Sequence, residues 1–135
     1  MGLGKTLQAI AITCSFRHNW PVLVIAPKSV LFVWTSELQR WIPDLEPSHV
    51  NVVRTGADVT GLKDAKFLFH IISYGMVSFD CQVRNFLRQE SPFKVVVLDG
   101  SHKIKDRRSS RAREVLQIVK RARQTALASF RVRYL

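Results

Sequence analysis

Gly2-Leu3-Gly4-Lys5-Thr6, running at once into residues 7–16 (LQAIAITCSF) and then into Val22-Leu23-Val24-Ile25 between two prolines, is the stretch that decides the fold. Two glycines followed by lysine and threonine are what the second half of a phosphate-binding loop needs. Glycines let backbone N–H groups come close to phosphate oxygens, Lys5 can reach β- and γ-phosphates, and the Thr6 hydroxyl can ligate magnesium. A helix starting there adds the positive end of its dipole. The same five residues could also form a plain glycine-rich turn, and the earlier glycine and leading strand of the full pattern would lie before residue 1. The helix and buried strand that follow directly favour the phosphate reading.

Outward from that stretch, apolar positions 7, 10, 11, 12, 14 and 16 predict a helix packed on a sheet, broken at Pro21. Residues 22–25 form a β-branched run suited to a strand buried on both faces, ended by Pro27. Ser29 is placed to cap a second helix reaching about Trp41, with Leu31, Trp34, Leu38 and Trp41 spaced by three and four. Residues 50–53 predict a strand, 56–64 a polar loop, 67–72 a strand and 77–87 a helix. Lys94-Val95-Val96-Val97-Leu98-Asp99 is the clearest strand, with Pro92 before it and Gly100 after. Residues 110–123 predict a basic amphipathic helix. Strands alternating with helices imply a mostly parallel sheet flanked by helices, an α/β domain.

Composition narrows the class of partner. Among 135 residues, 21 Lys and Arg oppose 10 Asp and Glu, a formal net charge of +11. Such an excess favours polyanions through counterion release, and nucleic acid is the natural candidate. Lys105, Arg107, Arg108, Arg111, Arg113, Lys120, Arg121, Arg123 and Arg131 carry much of it, although a solvated basic face has the same look. No apolar run approaches the roughly 18 residues of a membrane span, so no membrane partner is expected. Two cysteines, Cys14 and Cys81, fall in different predicted elements and argue against a disulfide framework or a zinc cluster.

Asp99 ends the valine-rich strand, where an open α/β sheet presents its ligand-binding groups. A carboxylate there can hold a nucleotide's magnesium, usually through water, or simply open a turn with Gly100. His102 lies three residues further on and has no role that spacing alone can assign.

Met1-Gly2-Leu3-Gly4-Lys5-Thr6-Leu7-Gln8-Ala9-Ile10 resembles motif I of the Swi/Snf-type ATPases of helicase superfamily two. Ala26-Pro27-Lys28-Ser29-Val30, with Trp34 and Glu37 after it, resembles motif Ia, and Ser73-Tyr74 resembles motif Ib. Val97-Leu98-Asp99-Gly100-Ser101-His102-Lys103-Ile104-Lys105 resembles motif II. WPVLVIAP, WIPDL-x-P and FKVVVLD together are most similar to the annealing-helicase branch, the HARP-like DNA translocases. The resemblance implies a RecA-like P-loop lobe that binds ATP and magnesium and tracks duplex or forked DNA in the nucleus, at stalled replication forks. It implies that Lys5 and Thr6 hold phosphate and magnesium and that Asp99 holds magnesium. His102 would couple the nucleotide to a second RecA-like lobe, which activity requires. Pro27, Lys28, Ser29 and Ser73 would lie near the DNA backbone.

Three departures from the family pattern stand out. The Asp-Glu pair that opens motif I is missing. Gly100 occupies the place of the glutamate that orients the attacking water, and loss of such a group costs about 10²–10⁴-fold. The Leu-Leu-Ser-Gly-Thr-Pro of motif III does not follow Arg121-Ala122-Arg123. The expectation is therefore a partial first lobe over residues 1–123, truncated at both ends and deficient in hydrolysis, with a divergent tail over 124–135. The alternative is a non-enzymatic DNA- or partner-binding fragment or a degenerate gene product.

Overall fold

The computed structural model describes residues 2–89, 93–100, 113 and 124–127. Of the basic helix expected over 110–123 only Arg113, helical and exposed, is described; the rest of it and His102 lie outside the described residues. Five strands form one sheet: β1 (Val22–Ala26), β2 (Val50–Val53), β3 (Phe69–Ser73), β4 (Val95–Leu98) and β5 (Gln124–Leu127). Their spatial order is β2-β3-β1-β4-β5 and every pairing is parallel. Residues 124–127 fall in the stretch that the sequence leaves without a role, and they extend the sheet beside β4.

Parallel strands need helical crossovers, and those cover both faces. Helices α1 (Gly2–Ser15) and α2 (Leu31–Trp41) take one face; α3 (Tyr74–Phe79), α4 (Cys81–Gln89) and the three-ten segment Gly56–Lys63 take the other. The period-2 alternation of strand side chains decides which residue goes where. Val22, Val24 and Ala26 join Phe69, Ile71, Val95 and Val97 beneath Ala9, Ile10, Leu31, Trp34 and Leu38. Leu23 and Ile25 turn the opposite way, joining Ile72, Val96 and Leu98 against Val77, Val83, Phe86 and Leu87. All five side chains of β1 are fully shielded from solvent. Each such Val, Leu or Ile contributes about 1.5–3 kcal/mol over its exposed state. A polar residue anywhere in β1 would forfeit that and strand its own hydrogen-bonding groups.

Four local expectations are corrected. Helix α1 starts at Gly2, not Leu7, so the glycine-rich pentapeptide forms its first turn and contributes N–H groups that have no intrahelical acceptor. Ser29 does not cap α2; it lies in a three-ten turn, Lys28–Val30, and α2 starts at Leu31 after Val30. The helix expected over 77–87 is two helices. Asp80 breaks it, its Oδ1 accepting the Val83 N–H at 3.1 Å to start α4. The loop over 56–64 is ordered as three-ten turns because Asp58 Oδ2 accepts the Arg54 and Thr55 N–H groups at 3.0 and 3.1 Å. Those bonds hold the Asp58 carboxyl below the usual carboxylate range.

Candidate nucleotide-binding site

Because every strand is parallel, the segments that leave β1, β3 and β4 emerge at one edge of the sheet, where α/β folds bind ligands. These are Pro27-Lys28-Ser29, Ser73-Tyr74 and Asp99-Gly100. Helix α1 packs on the same face of the sheet as α2. It closes at Ser15, seven residues before β1 opens, and Trp20 Nε1 donates to the Thr13 carbonyl at 2.8 Å across that connection. Its 14 residues span about 21 Å, slightly more than a five-residue strand.

Asp99 is the most constrained residue there. Its N–H donates to the Ile25 carbonyl at 2.9 Å, extending the ladder one step past β4. Its carboxylate Oδ2 accepts the Trp34 indole N–H at 2.8 Å, and its main-chain carbonyl accepts the Tyr74 hydroxyl at 2.6 Å. Trp34 and Tyr74 are 1% and 2% exposed, so both donors are fixed by packing. Burial, reinforced by the Asp99 charge, pushes the Tyr74 phenol far above its ordinary pKa and keeps it a neutral donor. Gly100 follows at φ 69°, the left-handed region where a side chain costs about 1–2 kcal/mol. The chain turns sharply off the sheet at that point.

Of the pentapeptide, Gly2 and Leu3 lie in the first turn of α1, Gly4 is exposed with open space around it, Lys5 is half-buried and Thr6 is buried. The donor set suits a hard cation that keeps most of its ligands as water and phosphate. It comprises the Thr6 hydroxyl and the Asp99 carboxylate, and no group of three or more His, Cys, Asp or Glu occurs among the described residues. Trp34 engages one oxygen of the carboxylate, Oδ2. Magnesium with a bound nucleotide fits these residues; a metal held wholly by protein does not.

A hollow of about 480 Å³ opens beside this edge, lined by Lys28, Phe32, Arg54, Ser73 and Met76 among others. The Arg54 guanidinium lies over the Phe32 ring at 4.6 Å from its centroid, and Phe32 is 58% exposed. Lys28 is exposed and Ser73 is buried, its Oγ accepting the Met76 N–H at 3.2 Å to cap α3. Pro27 precedes the three-ten turn and Ser29 is exposed within it. Sequence reasoning missed Arg54, Phe32 and the hydrogen-bonding roles of Trp34 and Tyr74. Trp34 carried a signal in following motif Ia, and Tyr74 in following Ser73, but neither showed a partner.

This sheet, with helices on both faces and ligand-facing groups at its carboxyl edge, defines a RecA-like lobe. The SNF2-related domain profile matches residues 1–127, and the chain belongs to that family. It is 39% identical over 127 residues to the DNA annealing helicase and endonuclease ZRANB3 of Homo sapiens, covering 94% of this chain and 12% of that protein. It is 41% identical over 129 residues to the SWI/SNF-related matrix-associated actin-dependent regulator of chromatin subfamily A-like protein 1 of Bos taurus, covering 96% and 13%. Among solved structures it resembles the Sulfolobus solfataricus SWI2/SNF2 ATPase core in complex with dsDNA. The TM-score is 0.72 at 25% identity, over 98% of this chain and 26% of the other. The chain thus spans about an eighth of the length of these curated relatives.

Proposed function

We propose that this chain is the ATP-binding lobe of a DNA-dependent ATPase and translocase of the annealing-helicase type, acting in the nucleus on forked or duplex DNA. The observation that carries the reading is the held carboxylate of Asp99 beside the basic hollow at Lys28 and Arg54, at the edge where the strands end. Lys5 and Thr6, with the N–H groups of Gly2, Leu3 and Gly4, take the phosphates; Thr6 and Asp99 take the magnesium that neutralises them. Pro27, Lys28, Ser29 and Ser73 face the DNA backbone, and His102 serves the contact with a second RecA-like lobe.

Gly100 favours binding over turnover. With glycine where the family has glutamate, these residues offer no carboxylate at that position to orient water, so the chain holds nucleotide and hydrolyses it little or not at all. A non-enzymatic DNA-binding role is the second reading, favoured by the same glycine and by the net charge of +11. An ATPase assay with and without forked DNA tests the proposal. The expected result is Mg-ATP binding with turnover near background, and robust turnover by the chain would overturn the hydrolysis-deficient part.

A further inference from the structure

Asp99 is held from two directions by residues that sit directly after the segments read as DNA-facing. Trp34 lies on α2, five residues beyond Ser29, and donates its indole N–H to the Asp99 carboxylate at 2.8 Å. Tyr74 follows Ser73 and donates its hydroxyl to the Asp99 carbonyl at 2.6 Å. The two bonds do different work. Tyr74 fixes the main chain where it leaves β4 and turns at Gly100. Trp34 fixes the carboxylate itself, restricting its rotation and committing Oδ2 to an internal donor. A hydrogen bond to an ionised carboxylate is stronger than one between neutral groups, and the wall around this one is closed, since Trp34 is 1% exposed.

We infer that Trp34 is a positioning residue for the magnesium site: it orients the Asp99 carboxylate so that its other oxygen faces the cation. The inference rests on the proposed nucleotide-binding reading and deepens it. It also gives α2 a physical role beyond packing. A shift of the Lys28–Val30 turn on DNA would be carried through one short helix to the carboxylate that meets the cation.

The three tryptophans supply internal controls. Trp20 Nε1 donates to the Thr13 carbonyl at 2.8 Å and Trp41 Nε1 to Glu37 Oε2 at 2.7 Å, both away from Asp99. In a ¹⁵N-labelled chain the three indole N–H signals are separable, and ADP is titrated with and without magnesium chloride. Mg-ADP is expected to move the Trp34 signal and leave the other two in place. Asp99→Asn should shift the Trp34 signal at the outset and abolish its response to magnesium. In Trp34→Phe, the magnesium needed for half-maximal binding of a fluorescent ADP analogue should rise about tenfold, while magnesium-free nucleotide binding stays unchanged. A purely structural Trp34 would instead weaken both binding modes alike. A Trp34 signal unmoved by Mg-ADP that demonstrably binds would overturn the inference and leave the nucleotide reading intact; absence of nucleotide binding in the unaltered chain would overturn both. Should Trp34→Phe fail to fold, the response of the Trp34 signal to Mg-ADP in the unaltered chain decides alone.

Discussion

The hydroxyl of Tyr74 donates to the main-chain carbonyl of Asp99 at 2.6 Å, tying the start of α3 to the end of β4 across 25 residues of sequence. Both groups lie at the carboxyl edge of the sheet, where a loose strand end would blur the position of the acid. Tyr74→Phe keeps the ring and its packing and deletes the bond. The expected loss is about 1 kcal/mol, with the carbonyl left short of its donor. Chemical denaturation measures it, and an unchanged midpoint would show that the bond contributes nothing.

Gly100 can be tested by restoring the family residue. At φ 69°, glutamate should destabilise the chain by about 1–2 kcal/mol. It should restore little turnover, because the carboxylate would hang from a backbone turn shaped for glycine and because activity is proposed to need a second lobe. Thermal melts and ATPase assays on Gly100→Glu check both halves. A stable variant with strong DNA-stimulated turnover would contradict the account.

His70 makes stability depend on pH. It is 1% exposed on β3, with Asn51 Nδ2 3.1 Å from its Nδ1 and the rings of Phe67 and Phe93 edge-on. Burial pushes its pKa down from 6.5 to about 4, against a weaker opposing pull from Asp64. Between those values the unfolded chain binds a proton that the folded chain refuses. Stability should therefore fall as pH drops from about 6.5 to about 4, by something on the order of 3 kcal/mol across the window, and this group adds no slope above it. His70→Leu should flatten that part of the profile. Parallel profiles for the two proteins would rule the histidine out as the cause.

The basic hollow predicts a salt dependence. Replacing Lys28 and Arg54 together by alanine should weaken duplex binding whatever the sequence, and should reduce the slope of log affinity against log salt by about 1.8. Fluorescence anisotropy of a labelled duplex between 50 and 200 mM salt, about the range where such slopes are resolved, reads this directly. An unchanged slope would place the DNA elsewhere.

Much of the fold is legible in the sequence because its strands are short β-branched runs with prolines or glycine at their ends. Val22–Ala26 and Val95–Leu98 announce themselves this way, and their burial on both faces implies parallel neighbours with helices above and below. Strand β5 is harder to see, since Gln-Thr-Ala-Leu has no such run and follows a basic stretch. The break between α3 and α4 hides because positions 77, 83, 86 and 87 keep helical spacing across it, while Asp80 ends one helix and starts the next through a side-chain bond that periodicity does not register. The roles proposed for Lys5, Thr6 and Asp99 come from local pattern and strand ends. The bond from Trp34 to Asp99 spans 65 positions and depends on how α2 lies across the sheet, which no local pattern encodes.

Lys5, Thr6 and Asp99 are proposed to form a site for magnesium and nucleotide. Calorimetric titration of Mg-ATP into the unaltered chain and into Lys5→Ala tests it most directly, with thermal melts of the same samples. Saturable binding and a melting transition raised by ligand are expected in the unaltered chain, by linkage worth about 2.7 kcal/mol at a hundredfold excess over Kd, with both lost in Lys5→Ala. No heat and no shift in the unaltered chain, or equal binding by the two proteins, would contradict it.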